Sequence, residues 1–418
     1  MKRFKKEIAA YIERVGAQKG IDIGIGNILF FKRKLTDIGM KLKEGNISIK
    51  SLQIRPNLLT CLYKEKKVAI TCKDIVIDCH SFSKEPFQIS NISFNIIYDV
   101  SNKNIRVDAT LYNGVVCHFN TSRQEDGRAF GLKIEDISID RYKILFNSHI
   151  SSTFLQSIQS DSILSFTLFF NHSNKVLYPQ IQTSFNCHSL KISSTNYTLS
   201  KNYLLSQLKT RKHLGKYYIR YEHISKQICQ MVICTEDPSF HIHKGICPVQ
   251  MGITLREAIN QKKLGRGGST ISMQLIKNAL LNSERTINRK LEEAILTLLM
   301  ENYYHINKND IIELYLNMIE LAPDVYGIED GARFYFDKPA NQLAISEIIT
   351  LTYIIPRPKH FYEALLLKTE QLQHNLGRHI TNYGGIALRK GIISSQEEIN
   401  NDCIIFSKRF GVLPLIKE

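Results

Sequence analysis

The feature that most constrains this chain is a change of hydrophobic period part-way along it. From about residue 20 to 200 the apolar residues alternate, and a short pattern recurs. Ile47-x-Ile49-x-x-Leu52-x-Ile54 is followed by Ile70-x-Cys72-x-x-Ile75-x-Ile77, Leu132-x-Ile134-x-x-Ile137-x-Ile139 and Phe185-x-Cys187-x-x-Leu190-x-Ile192. Period two means strands with one buried face, and the extra residue in each unit shifts the phase as a bulge or bend would. The uneven spacing makes this a recurring strand type rather than a solenoid repeat. After Tyr203 the period becomes helical: Ile311, Leu314, Tyr315 and Met318 follow i, i+3, i+4, i+7, and Glu284 to Tyr304 reads as one long helix. A chain of 418 residues exceeds one ordinary core. The expected architecture is therefore α+β and multidomain. Residues 1–204 form a mainly antiparallel β-rich accessory domain with a short N-terminal helix, 205–370 a mostly α-helical domain, and 371–418 a short mixed tail.

Lys and Arg outnumber Asp and Glu by 55 to 39, a net charge of +16, which favours a polyanion, an anionic membrane or a phosphorylated substrate. The nine cysteines fall mostly in apolar stretches (Cys72, Cys79, Cys117, Cys187, Cys234) without metal-binding spacing, so they read as buried small hydrophobes. The basic N-terminus lacks the apolar core of a signal peptide, and no window approaches the roughly 18 apolar residues of a spanning helix. No membrane anchor is visible, although Phe4, Ile8, Tyr11 and Ile12 share one helical face suited to a membrane surface or to the domain's own core.

Three polar clusters mark the helical half. Glu236, Asp237 and His243 follow the apolar run Met231-Val-Ile-Cys234. A glycine-rich loop, Gly265-Arg-Gly-Gly-Ser269, runs into a helix whose early N–H groups can meet an anion. On that helix Thr270, Gln274, Lys277 and Asn278 share a donor-rich face. Arg285, Arg289 and Glu293 then form a charged stripe, with Lys290 beside it. Taken singly, each has a bland alternative: a cap, a turn or a solvated face.

Together, and in order, they resemble the signature motifs of the peptidoglycan glycosyltransferases, glycosyltransferase family 51. The family's Glu-Asp-x-x-Phe-x-x-His-x-Gly is matched by Glu236, Asp237, Phe240, His243 and Gly245. Its Gly-Gly-Ser-Thr-Ile-Thr-Gln-Gln-Leu with Lys-Asn appears as Gly267, Gly268, Ser269, Thr270, Ile271, Ser272, Met273, Gln274 and Leu275 with Lys277 and Asn278. Arg-Lys-x-x-Glu is Arg289, Lys290 and Glu293, and Ile-Leu-Glu-x-Tyr-Leu-Asn is Ile311 to Asn317. The weaker Gly-x-x-x-Arg-x-Ala is present at Gly252, Arg256 and Ala258. The match covers about residues 220–365.

The resemblance implies a partly lysozyme-like catalytic domain that polymerises lipid II into glycan strands by inverting transfer, with undecaprenyl pyrophosphate as leaving group. It implies that Glu236 is the general base and Glu293 the second essential carboxylate, assisting at the donor side or orienting cations. Lys277, Arg289 and Lys290 would meet the pyrophosphate, with Ser269, Thr270, Gln274 and Asn278 as hydrogen-bonding neighbours. Asp237, Phe240, His243, Gly267 and Gly268 are supporting residues, and Glu313, Tyr315 and Asn317 are read as structural. Expected partners are lipid II, the growing strand, the membrane surface at the periplasmic face of the cytoplasmic membrane, and cell-wall synthesis proteins; nucleic acid is not one. Such a role would place the chain in cell wall biogenesis and cell shape.

No ligand cluster for a metal is evident, although some family members use Mg2+ or Mn2+. Pro238-Ser239 and Met273 depart from the family, and Ser206-Gln-Leu-Lys209 stands alone without a Lys-Thr-Gly, so no transpeptidase is expected. The competing expectations are a catalytically weak lipid II-binding scaffold and a lysozyme-like glycan-cleaving enzyme.

Overall fold

The computed structural model describes residues 10, 12–14, 17–18, 22–29, 34–42, 45–56, 65–79, 85–111, 114–124, 127–146, 150–160, 163–173, 176–186, 190–192, 198–261, 267–284, 286–399 and 402–416. The apolar face of Phe4, Ile8 and Tyr11 lies outside them, as do Gly265, Arg266, Arg285 and Cys187. The chain divides into two compact units. One comprises Met1–Thr195, Pro248–Gly268 and Asn282–Ile295; the other comprises Asn196–Cys247, Ser269–Leu281 and Leu296–Glu418.

In the first unit, eight strands run in sequence: β1 (Asp22–Leu29), β2 (Lys34–Leu42), β3 (Gly45–Pro56), β4 (Glu65–Cys79), β5 (Phe87–Asp99), β6 (Asn104–Leu111), β7 (Val116–Gln124) and β8 (Gly127–Ser138). Two short helices follow, α1 (Ile139–Phe146) and α2 (Thr153–Ser157), and then β9 (Ile158–Ser160), β10 (Ile163–Ser173), β11 (Val176–Asn186) and β12 (Leu190–Ile192). All but β9 and β12 form one antiparallel meander of ten strands, in which each strand pairs with its neighbour in chain order; β9 and β12 pair separately.

The recurring sequence pattern has a physical counterpart. Between β3 and β4 the ladder pairs Ile49 with Ile75 and Ser51 with Lys73, passing over Lys50 and Asp74, then continues in the same register. The ladders on either side pass over Asp37 and Lys50 and over Asp74 and Ser90 in the same way. Asp37 and Asp74 sit at φ 53° and 48°, the left-handed region that Asp tolerates better than most residues. Because neighbouring strands bend in one row, no strand slips. Cys72 and Ile75, three residues apart, both reach the buried face. The third unit behaves differently: between β8 and β10 the register itself shifts. Its Ile139 opens α1, and the fourth unit is split between β11 and β12 in different sheets.

Burial in the sheet is thin, and this corrects the cysteine reading. Cys72 is buried, but Cys79 and Cys117 are only half-buried, since an antiparallel sheet leaves one face open; in the helical half Cys229 and Cys247 are buried, while Cys234 on the last turn of its helix is half-buried. Cys72, Cys117, Cys229, Cys234 and Cys247 are free thiols.

The helical elements are α3 (Lys201–Thr210), α4 (Lys226–Glu236), α5 (Pro248–Gln261), α6 (Ile271–Leu280), α7 (Ile287–Leu298), α8 (Lys308–Met318), α9 (Ile328–Phe336), α10 (Ile345–Ile354), α11 (Pro358–Leu367) and α12 (Glu370–Arg389). The long helix expected from Glu284 begins at Ile287 and ends in a π-helical turn, Leu299–Tyr303. In the second unit α8 is the central rod, with every residue from Ile311 to Met318 buried. Side-chain N-caps start α3, α6, α8 and α12 at Ser200, Thr270, Asn307 and Thr369, each worth about 1 kcal/mol. The residues after 370 form the twenty-residue helix α12, which packs on α10, and the hairpin of β15 (Cys403–Ile405) and β16 (Val412–Pro414), named after the small hairpin of β13 (Glu320–Ala322) and β14 (Val325–Tyr326).

Candidate active site

The first cluster is built where α4 ends. Ile228, Met231 and Val232 anchor the helix by full burial, and Asp237 caps it through its N–H to the Ile233 carbonyl at 3.0 Å. Pro238, with no N–H and a fixed φ, stops the helix from continuing. The two adjacent carboxylates then part. Asp237 turns inward, 4% exposed, and accepts from the Ile271 N–H at 3.0 Å and from His243 Nε2 at 2.9 Å. The Gly245 N–H points at His243 Nδ1, 3.2 Å away, so Nδ1 accepts and Nε2 carries the proton. Gly245 sits at φ 96°, and a Cβ there would stand 2.9 Å from the Thr297 methyl, so only glycine fits. Phe240 is fully buried beneath the loop, with Lys308 Nζ 4.5 Å from its ring centre.

This arrangement revises the anion site expected at the start of α6. The Ile271 N–H is engaged by Asp237 and the Met273 N–H by the Thr270 hydroxyl, which itself donates to the Gly245 carbonyl at 2.6 Å. The anion at this helix N-terminus is the chain's own Asp237.

Glu236 takes the opposite course. Its Oε2 accepts from Gln274 Nε2 at 3.1 Å, and Gln274 Oε1 in turn accepts from the hydroxyl of fully buried Tyr315 at 3.2 Å. No cation pairs with Glu236 among the described residues. Burial pushes its carboxyl above the ordinary carboxylate range; the Gln274 amide pulls it partly back, and the Asp237 charge adds to the rise. Burial and the charges of Glu236 and Asp237 hold Tyr315 firmly protonated, fixing it as a donor. Glu236 also borders a cavity of about 830 Å³ whose wall includes Arg357, Arg378, His379, Asn382 and Tyr383. Burial lowers His379 to about 4, so this imidazole is neutral at physiological pH.

On α6, Ile271, Leu275 and Ile276 are wholly buried, and the opposite face carries Gln274, Lys277 and Asn278. Lys277 is exposed and has no ion-pair partner among the described residues. Asn278 donates to the Gln274 carbonyl at 2.9 Å. The departure at Met273 is a core residue, 1% exposed, and Ser272 donates to buried Glu301, which also pairs with Lys308. Asn317 bonds both backbone groups of Ile219, and Glu313 accepts from Tyr218 and Tyr221 and pairs with Lys201, so both act as struts.

The second cluster, in the other unit, lies on α7. Arg289 Nη1 donates to Glu293 Oε2 at 2.7 Å, and Lys290 Nζ donates to Oε1. Glu293 is 1% exposed, whereas Arg289 keeps a buried Nε without a partner among the described residues. Gly267 and Gly268, at φ 128° and 78°, lie close against Thr254 of α5. Sequence reasoning missed Glu292, Asn288, Tyr142, Ser151 and Ser152, which are joined by hydrogen bonds within this unit.

The transglycosylase family model matches residues 201–378. A biosynthetic peptidoglycan transglycosylase of Nitrosomonas eutropha is 42% identical over 146 residues, 35% of this chain and 59% of its own. One from Laribacter hongkongensis is 34% identical over 164 residues, covering 38% of this chain and 71% of its own. Penicillin-binding protein 1A of Aquifex aeolicus is 37% identical over 149 residues, 35% of this chain and 20% of its own. The chain belongs to the peptidoglycan transglycosylases. The family match lies wholly after the ten-stranded sheet, and α12, which supplies Asn382 and Tyr383 to the Glu236 cavity, continues past its end.

The described residues do not fit a protein-bound Mg2+ or Mn2+. No group of three His, Cys, Asp or Glu side chains gathers among the described residues, and both Glu293 oxygens are engaged by cations.

Proposed function

We propose that this transglycosylase polymerises lipid II, and the observation that carries the reading is the state of Glu236. A half-buried carboxylate with no paired cation among the described residues and a raised affinity for protons is poised to take one. In the proposed step Glu236 takes the proton of the acceptor's 4-hydroxyl as its oxygen bonds to the anomeric carbon of the growing strand. The bond from that carbon to the pyrophosphate breaks, the electron pair leaves with undecaprenyl pyrophosphate, and the configuration inverts. Arg289, Lys290 and Lys277 meet the charge that develops on the leaving group, and Glu293 holds the first two in place. The helical region is read as the partly lysozyme-like catalytic domain, without transpeptidase activity.

The reading also places the chain at the periplasmic face of the cytoplasmic membrane, in cell wall biogenesis and the maintenance of cell shape, with cell-wall synthesis proteins as candidate partners. Among the described residues no helix is long and apolar enough to cross a membrane. The net charge of +16 supports surface attachment, as do two exposed apolar pairs at i, i+4 spacing, Val249 with Ile253 and Ile287 with Leu291.

The test is incubation of the purified full chain with labelled lipid II in detergent, with both products separated. Long glycan polymers together with released undecaprenyl pyrophosphate are expected. Lipid II that binds without turning over, or short cleaved glycans, would overturn the reading.

A further inference from the structure

The β-rich region and the charged helix α7 are joined by a buried latch. Glu292 is wholly buried on α7, next to Glu293 in sequence but about 100° around the helix from it. Its carboxylate accepts from the Ser151 N–H at 3.1 Å, the Ser151 hydroxyl at 3.0 Å and the Ser152 N–H at 3.2 Å. One turn earlier on the same face, Asn288 Oδ1 accepts from the Tyr142 hydroxyl at 2.6 Å. Ser152 at 1%, Asn288 at 2% and Tyr142 at 2% exposure make the contact dry, and Ile139, Ile150, Phe154, Leu155 and Ile158 pack the segment that supplies it.

These donors come from the stretch linking β8 to β10, far outside the family match. The family's third motif leaves position 292 open, so the latch belongs to this chain's own combination of parts. A buried carboxylate is costly unless donors converge on it, and here two amides and a hydroxyl do. Such a contact fixes rotation: it sets one face of α7 toward the β-rich region and thereby sets the direction of Arg289, Lys290 and Glu293.

The geometry points to Glu292 as a positioning residue, through which the N-terminal region holds α7 in the rotation that presents the Arg289, Lys290 and Glu293 cluster to the leaving pyrophosphate. This rests on the glycosyl-transfer reading above. Glu292 touches no substrate; it acts through the helix. The N-terminal sheet is on this account a working part of the enzyme, and its loss would be felt as a loss of rate at the donor side.

The experiment compares the full chain with Glu292→Gln and Ser151→Ala by two independent readouts. Amide hydrogen exchange reports the latch without reference to activity. Glu292→Gln places an NH2 against donors, so protection should fall in 287–298 and 150–158 while 308–318 stays as protected as in the parent. Polymerisation of lipid II should show kcat lower by about 10–100-fold with KM little changed, because orientation at the donor side is lost. Ser151→Ala, which removes only the hydroxyl donor, should fall between. Unchanged exchange and unchanged kcat in Glu292→Gln would overturn the proposal, as would a uniform loss of protection that includes 308–318. A parent that makes no polymer contradicts the transfer reading, while the exchange pattern still decides the latch.

Discussion

Two pairs of adjacent acidic residues, Glu236-Asp237 at the end of α4 and Glu292-Glu293 within α7, look alike in sequence and are held in opposite ways. In each, one carboxylate is a brace that accepts backbone N–H groups: Asp237 from Ile271, and Glu292 from Ser151 and Ser152. The other members differ. Glu236 meets one neutral amide and no cation, and burial raises its pKa, whereas Glu293 is gripped by Arg289 and Lys290. The difference teaches what each is built to do. A carboxylate kept short of positive charge is suited to taking up a proton, and one saturated with it is suited to ordering cations.

The comparison can be broken most forcefully at Glu293. Glu293→Ala removes the buried carboxylate that Arg289, 11% exposed, and the more open Lys290 share, so unfolding free energy should drop by about 3 kcal/mol, read by denaturant titration. Polymerisation should fall with it. Asp237→Asn is next: the amide can still accept from the Ile271 N–H but must then oppose the His243 Nε2 proton. Two charge-assisted bonds are weakened, and a loss of about 2–3 kcal/mol is expected in the same titration.

A smaller effect tests a departure from the family. Met273→Gln restores the family residue, yet the site is in the core, so the substitution should cost about 1–2 kcal/mol without raising the polymerisation rate. A gain in rate would mean that position 273 reaches substrate. The subtlest change is Gln274→Leu, which removes a bond that favours ionised Glu236. Since the base must be deprotonated to act, the acid limb of the pH–kcat/KM profile should move to higher pH. The stability sign follows from the same raised pKa. Folded Glu236 binds its proton more tightly than the unfolded chain does, so its contribution falls as pH rises from the ordinary glutamate range through the folded pKa. Gln274→Leu should widen that window upward.

The period change, the antiparallel strands and the helical half were legible because each is carried by a segment's own side chains. Asp37, Lys50, Asp74 and Ser90 show what was not: that the bends fall in one row depends on how separate strands align. Of the candidate site, the sequence marked the motif residues, which lie in two clusters, one in each unit. Gln274 and Thr270 were read as contacts for substrate, but their polar atoms are engaged by Glu236, Tyr315 and Gly245. Nothing local marks this, because Tyr315 lies 41 residues along the chain from Gln274. Glu292 was hidden for the same reason, its partner Ser151 being 141 residues away. The twenty-residue helix after residue 369 was masked by the scattered polar residues that line the Glu236 cavity.

The most direct test of the account is Glu236→Gln, measured for lipid II polymerisation and for thermal unfolding on the same preparation. Removing a half-buried charge that has no cation partner among the described residues should leave the melting temperature at or above that of the parent, while kcat falls by about 10²–10⁴-fold. Polymer formed at the parent's rate, or a variant that is inactive only because it has unfolded, would contradict the assignment of Glu236 as the base.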